Sequence, residues 1–291
     1  SDNRVDAQRP HSSARDGADT VADMGNAKSH EIQNTLSSKR LGNLPHGVVR
    51  LTPEDEDEVV ELCAEHYAAL SREQDSALWN WVMGPNCDKE DPLRVELLQW
   101  VYRFMFREMT IKEKGFALGI RAKDTGKLVA TCVACPNAAG YGWCSQAIEK
   151  VDSIIGPTRA KLEMGAPPCS REPVRASIGE GIEKRLYNLW KLRELPSKAN
   201  AGQHLYIGSL ACAKTPTTQM EKAKLLHAVT RIADKLDLAC YMVSPIKDQI
   251  AYFREFCFSE LGPFEVGPSS DVDGVEPFKE VFALVRPTTR L

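Results

Sequence analysis

The segment from His204 to Asp234 constrains the fold most, because an apolar strand there runs through a turn into a helix. The residues from His204 to Cys212 are mostly aliphatic and aromatic, which predicts a strand covered on both faces. The turn-forming residues 214–218 follow, and apolar residues then recur at helical spacing. A polar turn that leads into a helix exposes unpaired N–H groups, which suit a phosphate or another anion.

Composition narrows the class of protein. With 43% hydrophobic and 26% charged residues, the 291-residue chain is typical of a globular protein that can bury a core. Its net charge of −3 argues against nucleic acid as a partner, and no apolar run approaches the roughly 20 residues that cross a bilayer. The nine cysteines lie mostly in apolar segments, which favours buried thiols in a reducing compartment. We therefore expect a cytoplasmic protein with no membrane partner.

The chain divides into a tail and one domain. Residues 1–44 contain no aromatic and few aliphatic residues, which predicts a disordered N-terminal tail. Residues 45–291 predict a single domain, in which 137–202 form a helical insertion. Predicted strands cover 48–51, 116–121, 127–135, 203–213, 238–243, 258–266 and 279–286, and predicted helices cover 53–70, 92–106, 145–162, 176–194, 219–236 and 247–256. This order predicts an α/β (α+β) fold, a mixed sheet with helices on its faces.

Four stretches in this order resemble the Gcn5-related N-acetyltransferase (GNAT) superfamily, closest in layout to its branch of puromycin acetyltransferase and fungal members. They read RLTPEDEDEVVEL, GKLVATCVACP, HLYIGSLACAKTPTTQ and SPIKDQIAYFREFCF, and the resemblance spans about residues 48–286. It implies a largely antiparallel sheet of about seven strands flanked by helices. It also implies a bulged central strand that splays from its neighbour and holds acetyl-CoA in the gap. The insertion before that strand would form the acceptor pocket.

The loop that binds pyrophosphate in that family, Gln/Arg-x-x-Gly-x-Gly/Ala, has no glycines here. Placing Gln219 first puts Lys222 and Lys224 at the glycine positions, and a two-residue slip puts Met220 and Lys222 there. Without glycine, the pyrophosphate cannot approach the backbone closely, but the charge of a lysine ammonium could bind it instead. Alternatively, both lysines could be solvated helix residues. For acetyl-CoA, the resemblance implies contacts from the amides of Leu210, Ala211 and Cys212 and from Gln219, Met220, Lys222, Ala223 and Lys224.

Acyl transfer to an amine needs a base, an acid for the leaving sulfur and N–H groups that polarise the thioester carbonyl. The family's acidic tyrosine aligns with Phe253, so the acid candidate is Tyr252, one residue earlier, unless its ring only packs under the sheet. The base candidates are His204 at the strand entrance and Glu183 or Glu180 from the insertion, with Ser244 and Tyr206 weaker. A small buried thiol explains Cys212 better than a nucleophile does.

The leading hypothesis is a GNAT-like acyltransferase that moves an acetyl group from acetyl-CoA to an amine of a small molecule. The aromatic residues Trp143, Tyr187 and Trp190 of the insertion favour a bulky or aromatic acceptor. The alternative is a protein of the same fold that has lost acetyl transfer, and either runs another reaction without coenzyme A or only binds a ligand. Cys132-Val-Ala-Cys135 lacks a second pair at zinc spacing, so we expect no metal. Both a monomer and a homodimer remain open.

Overall fold

The computed structural model describes residues 44–73, 78–85, 87–112, 114–137, 204–244, 246–247, 249–267 and 275–288. It also describes residues 32, 36, 41, 164, 165, 167, 168, 181, 182, 184–186, 188 and 189. The predictions made for residues 1–31, for the helix at 145–162 and for most of the insertion lie outside the described residues.

The predicted helices at 53–70, 92–106, 219–236 and 247–256 are present within three residues at each end, and a helix that was not predicted lies at 78–83. The main α-helices among the described residues are α1 (Glu56–Glu73), α2 (Leu78–Met83), α3 (Pro92–Arg107), α4 (Thr218–Lys235) and α5 (Gln249–Arg254). A short 3-10 turn, Pro53–Asp55, leads into α1, and the Thr52 N–H donates to the Asp55 carboxylate at 2.7 Å. Asp91 caps α3 by accepting the Leu93 N–H at 2.9 Å. Each cap satisfies a helix N–H group that would otherwise lack a partner, and each precedes a proline in the first turn.

The described strands form one sheet. They are β1 (Val48–Leu51), β2 (Phe116–Arg121), β3 (Leu128–Asn137), β4 (His204–Cys212), β5 (Ala239–Ser244), β6 (Ser259–Val266) and β7 (Phe278–Arg286). Their order across the seven-stranded sheet is β1-β2-β3-β4-β5-β7-β6. All neighbours are antiparallel except β4 and β5, which are parallel and are joined by the crossover helix α4. The predicted mixed, largely antiparallel sheet with flanking helices is confirmed.

Central strand β4 is covered on both faces, as its composition predicts. Tyr206 and Ala211 belong to the core that α1 and α3 form on one face of the sheet, and Leu205 and Ile207 to the core formed by α4 and α5 on the other. Because successive side chains of a strand point to opposite faces, a strand buried twice needs apolar residues at nearly every position. This double burial fixes β4 as the middle of the molecule.

Three described residues of the stretch predicted as a tail contribute to the core. Ile32 and Leu36 are helical and buried, and they join Leu41 in the core on the α4 face. The Leu36 carbonyl accepts a hydrogen bond from the Arg50 side chain at 2.7 Å. A sparse set of aliphatic residues at helical spacing is enough to form one buried face, even in a segment whose overall composition is polar.

Part of the predicted insertion helix is present. Seven helical residues between 181 and 189 fall within the predicted helix 176–194. Ile182 and Arg185 are buried there, and Arg185 Nε donates to the Val82 carbonyl at 2.8 Å, so this turn of the insertion packs on α2. Of the described helices, none combines the length and apolarity that crossing a bilayer requires.

Candidate functional site

The sheet opens between β4 and β5. The two strands pair from His204–Ala239 to Ile207–Met242, and the pairing stops there although both strands continue. The next residue, Gly208, has no partner on β3, because β3 pairs with Ile207 and then with Ser209. Such a one-residue bulge increases the local twist and turns β4 away from β5. The bulge and the splay implied by the sequence resemblance are therefore both confirmed.

Gly208 packs closely against the side chain of Met109. A Cβ at this position would lie 2.4 Å from the Met109 sulfur and 2.6 Å from its methyl carbon. Met109 is fully buried in the turn after α3, so a side chain at residue 208 would force the end of the Met109 side chain to move within the core.

The gap widens into a cleft with about 410 Å³ of empty volume. His66 and Tyr67 of α1 line it on one face, and Lys222 of α4 and Phe253 of α5 line it on the other. The strand residues Ile207, Gly208, Ser209, Leu210, Met242, Val243 and Ser244 form its walls, with Leu70, Ile246 and Gln249 completing the lining.

Backbone groups of β4 face this cleft in alternation. The Ala213 N–H bonds to β3, at the Val129 carbonyl, so Ser209 and Ala211 also direct their backbone groups to β3, whereas Leu210 and Cys212 direct theirs into the gap. This corrects one predicted contact, because the Ala211 amide does not face the gap.

Side chains of α1 occupy the exposed backbone groups. The Leu210 N–H donates to the Tyr67 hydroxyl at 3.4 Å, and the Tyr67 hydroxyl lies 3.5 Å from the Leu210 carbonyl. Both distances are long for hydrogen bonds to a hydroxyl, so these contacts are weak. The Cys212 carbonyl lies 3.0 Å from His66 Nδ1 and can only accept, so Nδ1 carries the proton. The Nε2 lone pair of a neutral His66 is then available as an acceptor.

His66 is neutral at physiological pH. Burial, reinforced by the nearby charge of Lys222, lowers the pKa of His66 to about 4. Because the Nδ1 proton is held by the strand, a proton from a ligand can only be taken up at Nε2. This is the arrangement of a neutral imidazole acceptor, oriented by a backbone carbonyl.

Lys222 points into the protein. Its exposed fraction is 8%, and its ammonium nitrogen lies 5.3 Å from the ring centre of Tyr252 and 5.6 Å from that of Phe253. Burial lowers the pKa of Lys222. The interpretation as a solvated helix residue is therefore wrong for Lys222. Lys224, in contrast, is only partly buried and does not line the cleft.

The N-terminus of α4 holds a carboxylate of the chain itself. Glu221 accepts hydrogen bonds from the hydroxyls of Thr217 at 2.8 Å and Thr215 at 3.2 Å. The Thr218 hydroxyl donates to the Ala213 carbonyl at 2.8 Å and so closes the turn. A negative charge at this position is stabilised by the helix dipole, and it opposes the approach of a second anion.

No family model and no curated protein matches this sequence. Solved structures do match it. A polyamine N-acetyltransferase of Drosophila melanogaster has 12% sequence identity and a TM-score of 0.50, and the match covers 82% of this chain and 97% of that one. A mosquito arylalkylamine N-acetyltransferase like 5b has 13% identity and a TM-score of 0.49, over 82% and 98% of the two chains. A Corynebacterium glutamicum protein described as histone acetyltransferase HPA2 and related acetyltransferase has 16% identity and a TM-score of 0.46, over 83% and 96%.

The chain has the GNAT fold. Within this fold, the predicted contacts for acetyl-CoA separate into two groups. Leu210 and Lys222 line the cleft, and the Cys212 backbone faces the gap. The side chains of Gln219 and Met220 are exposed at the start of α4, and Ala223 and Lys224 are partly buried outside the cleft lining. The cleft and the helix terminus are thus two distinct places on the GNAT fold of this chain.

Tyr252 lies beside the cleft but does not line it. Its hydroxyl is buried and has no hydrogen-bond partner among the described residues, and its ring packs on Phe253 and Phe256 with centre-to-centre distances of 5.4 and 5.3 Å. Phe253 is the residue that reaches the cleft, as the alignment with the family's tyrosine implies. The GNAT-fold cleft therefore has a phenyl ring at the position expected for the acid. Tyr252, which lies outside the lining, does not place its hydroxyl there.

Of the predicted bases that the structure describes, His204 lies away from the cleft and Ser244 lines it. His204 is buried next to Tyr241, and it precedes the first cleft residue of β4 by three positions, or about 10 Å of strand. Glu180 and Glu183 lie outside the described residues. Ser244 lines the cleft, and its hydroxyl is bonded to the Ile246 carbonyl at 3.1 Å.

Two other candidates are accounted for by burial. Tyr206 is a core residue, 8% exposed, and it does not line the cleft. Burial raises the pKa of the Cys212 thiol to about 11, as expected for a buried thiol that is not a nucleophile.

The sequence analysis missed His66 and Tyr67 as site residues. Both belong to the apolar stripe of α1, where they are indistinguishable from core residues. The signal that could have found them is a histidine in an otherwise apolar stripe, since an imidazole there needs a polar partner. Its partner, the Cys212 carbonyl, is 146 residues away in sequence.

Proposed function

We propose that this chain is an acyltransferase that holds an acyl thioester, such as acetyl-CoA, in the cleft between β4 and β5 and transfers the acyl group to an amine of a small molecule. The observation that carries the proposal is the open gap beyond Ile207 and Met242, into which β4 directs the backbone groups of Leu210 and Cys212. An extended amide-containing chain, such as the pantetheine arm, pairs with a strand edge of this kind.

The weak contacts of Tyr67 fit a site that exchanges partners. Its hydroxyl stands at the Leu210 N–H, where a donor carbonyl would bind, and the distances of 3.4 and 3.5 Å leave little energy to overcome. When an acyl thioester replaces the Tyr67 hydroxyl, its carbonyl oxygen accepts a hydrogen bond from the Leu210 N–H. The same N–H then stabilises the oxyanion that develops during the reaction. His66 Nε2 accepts the proton that the amine releases, directly or through water.

A second candidate function follows from Glu221. The Glu221 carboxylate, held beside the start of α4 by two threonine hydroxyls, disfavours a pyrophosphate at that terminus, which supports a GNAT-fold protein that binds a ligand without the nucleotide of coenzyme A. The two candidates differ in one measurable respect, the contribution of the nucleotide diphosphate to binding.

Titration calorimetry with acetyl-CoA and with acetyl-pantetheine separates them. We expect both to bind, and we expect Glu221→Gln to tighten acetyl-CoA about three- to ten-fold without changing acetyl-pantetheine, because it removes one nearby negative charge. Glu61→Gln, which removes an exposed carboxylate of α1, is the matched control for a change in net charge.

Equal affinity for the two compounds in both variants would mean that the diphosphate stays in solvent and that only the pantetheine arm is recognised. If neither acetyl-CoA nor acetyl-pantetheine binds at millimolar concentration, the proposed acyltransferase function is refuted. Acyl transfer itself is then measured as thiol release in the presence of a panel of aliphatic and aromatic amines.

A further inference from the structure

Lys222 is a largely buried cation for which the described residues provide no counter-charge. None of the described residues forms an ion pair or a hydrogen bond with its ammonium group, whose closest charged or titratable neighbours are His66 of α1, Cys212 of β4 and Tyr252 of α5. None of these three carries a negative charge at neutral pH, since burial raises the pKa of Cys212 to about 11 and that of Tyr252 to about 12. Taking a charge out of water without a partner is costly, so such a group indicates a missing anion.

The surroundings of Lys222 place that anion inside the cleft. The ammonium lies over the faces of two aromatic rings, which hold it by cation–π attraction while leaving its N–H groups unbonded. Phe253 and Lys222 both line the cleft, together with the bulge residue Gly208 and the strand residue Leu210. The start of α4, where a diphosphate would bind, is one turn away and is already occupied by the Glu221 carboxylate. The charge of Lys222 is therefore directed at the interior of the cleft.

We propose that Lys222 binds the thiolate that leaves in acyl transfer, a role that Phe253 cannot perform because it has no hydroxyl. This inference rests on the proposed acyltransferase function. During the reaction the amine nitrogen forms a bond to the acyl carbon, and the carbon–sulfur bond breaks with its electron pair going to sulfur. The Lys222 ammonium pairs with that thiolate and gives it a proton, and the proton released by the amine through His66 and solvent restores the ammonium.

The position of Lys222 over two aromatic rings strengthens its attraction to an anion. A lysine held against an apolar floor is weakly solvated, so its attraction to an anion is stronger than that of a lysine in water. Within the described lining of the cleft, Lys222 is the one cationic side chain, because His66 is neutral.

The test measures the pKa of the coenzyme A thiol while the coenzyme is bound to the protein, and it needs no amine acceptor. Coenzyme A is titrated with pH while bound to the protein, and the thiolate is followed by its ultraviolet absorbance. The spectrum of the complex with desulfo-coenzyme A, which lacks the sulfur, is subtracted so that the protein's own cysteines cancel. Wild type, Lys222→Met and Lys224→Met are compared, and Lys224 is the matched control because it has the same charge on the same helix but lies outside the cleft lining.

We expect wild type and K224M to lower the pKa of the bound thiol by at least about one unit, which is a ten-fold preference for thiolate over thiol. In K222M the bound thiol should titrate as it does in free coenzyme A. A bound thiol with the same pKa in wild type and K222M would overturn the proposal, as would an equal effect of K224M.

Wild type alone provides an independent test if K222M does not fold. Coenzyme A should bind several-fold tighter as pH rises towards the pKa of its free thiol, while desulfo-coenzyme A should not. Equal pH dependence of the two ligands would overturn the role of Lys222 and leave the acyltransferase in place. Failure of both ligands to bind would instead refute the acyltransferase itself.

Discussion

His66 makes the stability of the protein depend on pH. Its folded pKa of about 4 is below the ordinary value of 6.5, so the unfolded chain binds the proton more tightly between these values. The stabilisation is fully present above pH 6.5 and is lost as pH falls towards 4. Besides Lys222, the charges of described residues that act on this ring are Glu73 of α1 and Lys214 of the turn between β4 and α4, which oppose each other.

We predict that His66→Gln flattens this dependence. Between pH 7 and pH 4, the difference in unfolding free energy between wild type and H66Q should shrink by on the order of 3 kcal/mol, as two to three pKa units imply. Urea denaturation at several pH values measures it, and other titrating groups cancel in the difference. His227→Gln, at an exposed position of α4, should follow wild type. Parallel curves for wild type and H66Q would contradict the assignment.

We expect the charged side chain of Lys222 to lower the stability of the ligand-free protein. Its lowered pKa means that its charged form is favoured less in the folded than in the unfolded state, so stability rises with pH up to the ordinary lysine value of 10.5. Lys222→Met keeps the length of the side chain and removes the charge, and we expect it to stabilise the ligand-free protein by about 1 kcal/mol at pH 7.

Chemical denaturation at pH 7 and pH 10 tests this, because the gain of K222M should shrink at the higher pH. K224M should stay within about 0.5 kcal/mol of wild type at both values. A clear loss of stability in K222M would mean that the cation–π contacts outweigh the cost of burial.

At the scale of secondary-structure elements, the bulge of β4 and the turn after α3 form one packed unit. Gly208→Ala places a methyl group within 2.4 Å of the Met109 sulfur, so we expect a loss of about 1 to 3 kcal/mol from overpacking and a weaker affinity for acyl thioesters as the cleft narrows. Met109→Ala alone leaves a cavity and costs about 2 to 5 kcal/mol.

The double variant distinguishes packing from backbone strain. If the clash with Met109 is the cause, G208A/M109A should be more stable than the sum of the two single changes predicts, because the added methyl group enters the space that Met109 leaves. Additive effects in a denaturation cycle would mean that residue 208 needs glycine for its backbone.

At the scale of the whole molecule, Ile32, Leu36 and Leu41 of the N-terminal segment are part of the core. Leu36 is fully buried against the α4 face of the sheet, and we expect Leu36→Ala to cost about 2 to 4 kcal/mol of unfolding free energy. Ile111→Ala, at a position 53% exposed, should cost less than about 0.5 kcal/mol and is the control for loss of an aliphatic side chain. An unchanged denaturation midpoint for L36A would show that the segment is dispensable.

Local pattern alone determined most of the fold. The starts of α1 and α3 followed from Thr52-Pro53 and Asp91-Pro92, because caps and first-turn prolines act within a few residues. Strand β4 and helix α4 followed from the run of apolar residues and the helical spacing after residue 218. The resemblance to the GNAT superfamily, rather than local pattern, aligned Phe253 with the family's tyrosine and indicated that the pyrophosphate loop lacks its glycines.

Tertiary structure decided the site. His66 and Tyr67 reach the β4 edge from 146 and 143 residues away, and no spacing in the sequence encodes such a contact. The inward direction of Lys222 depends on the rings of Tyr252 and Phe253, which a neighbouring helix supplies. Likewise, the alternation that turns Ala211 to β3 follows from a register that the bulge shifts. Secondary structure depends on interactions between near neighbours in sequence, whereas a cleft depends on which elements pack together, and that is fixed only when the whole core forms.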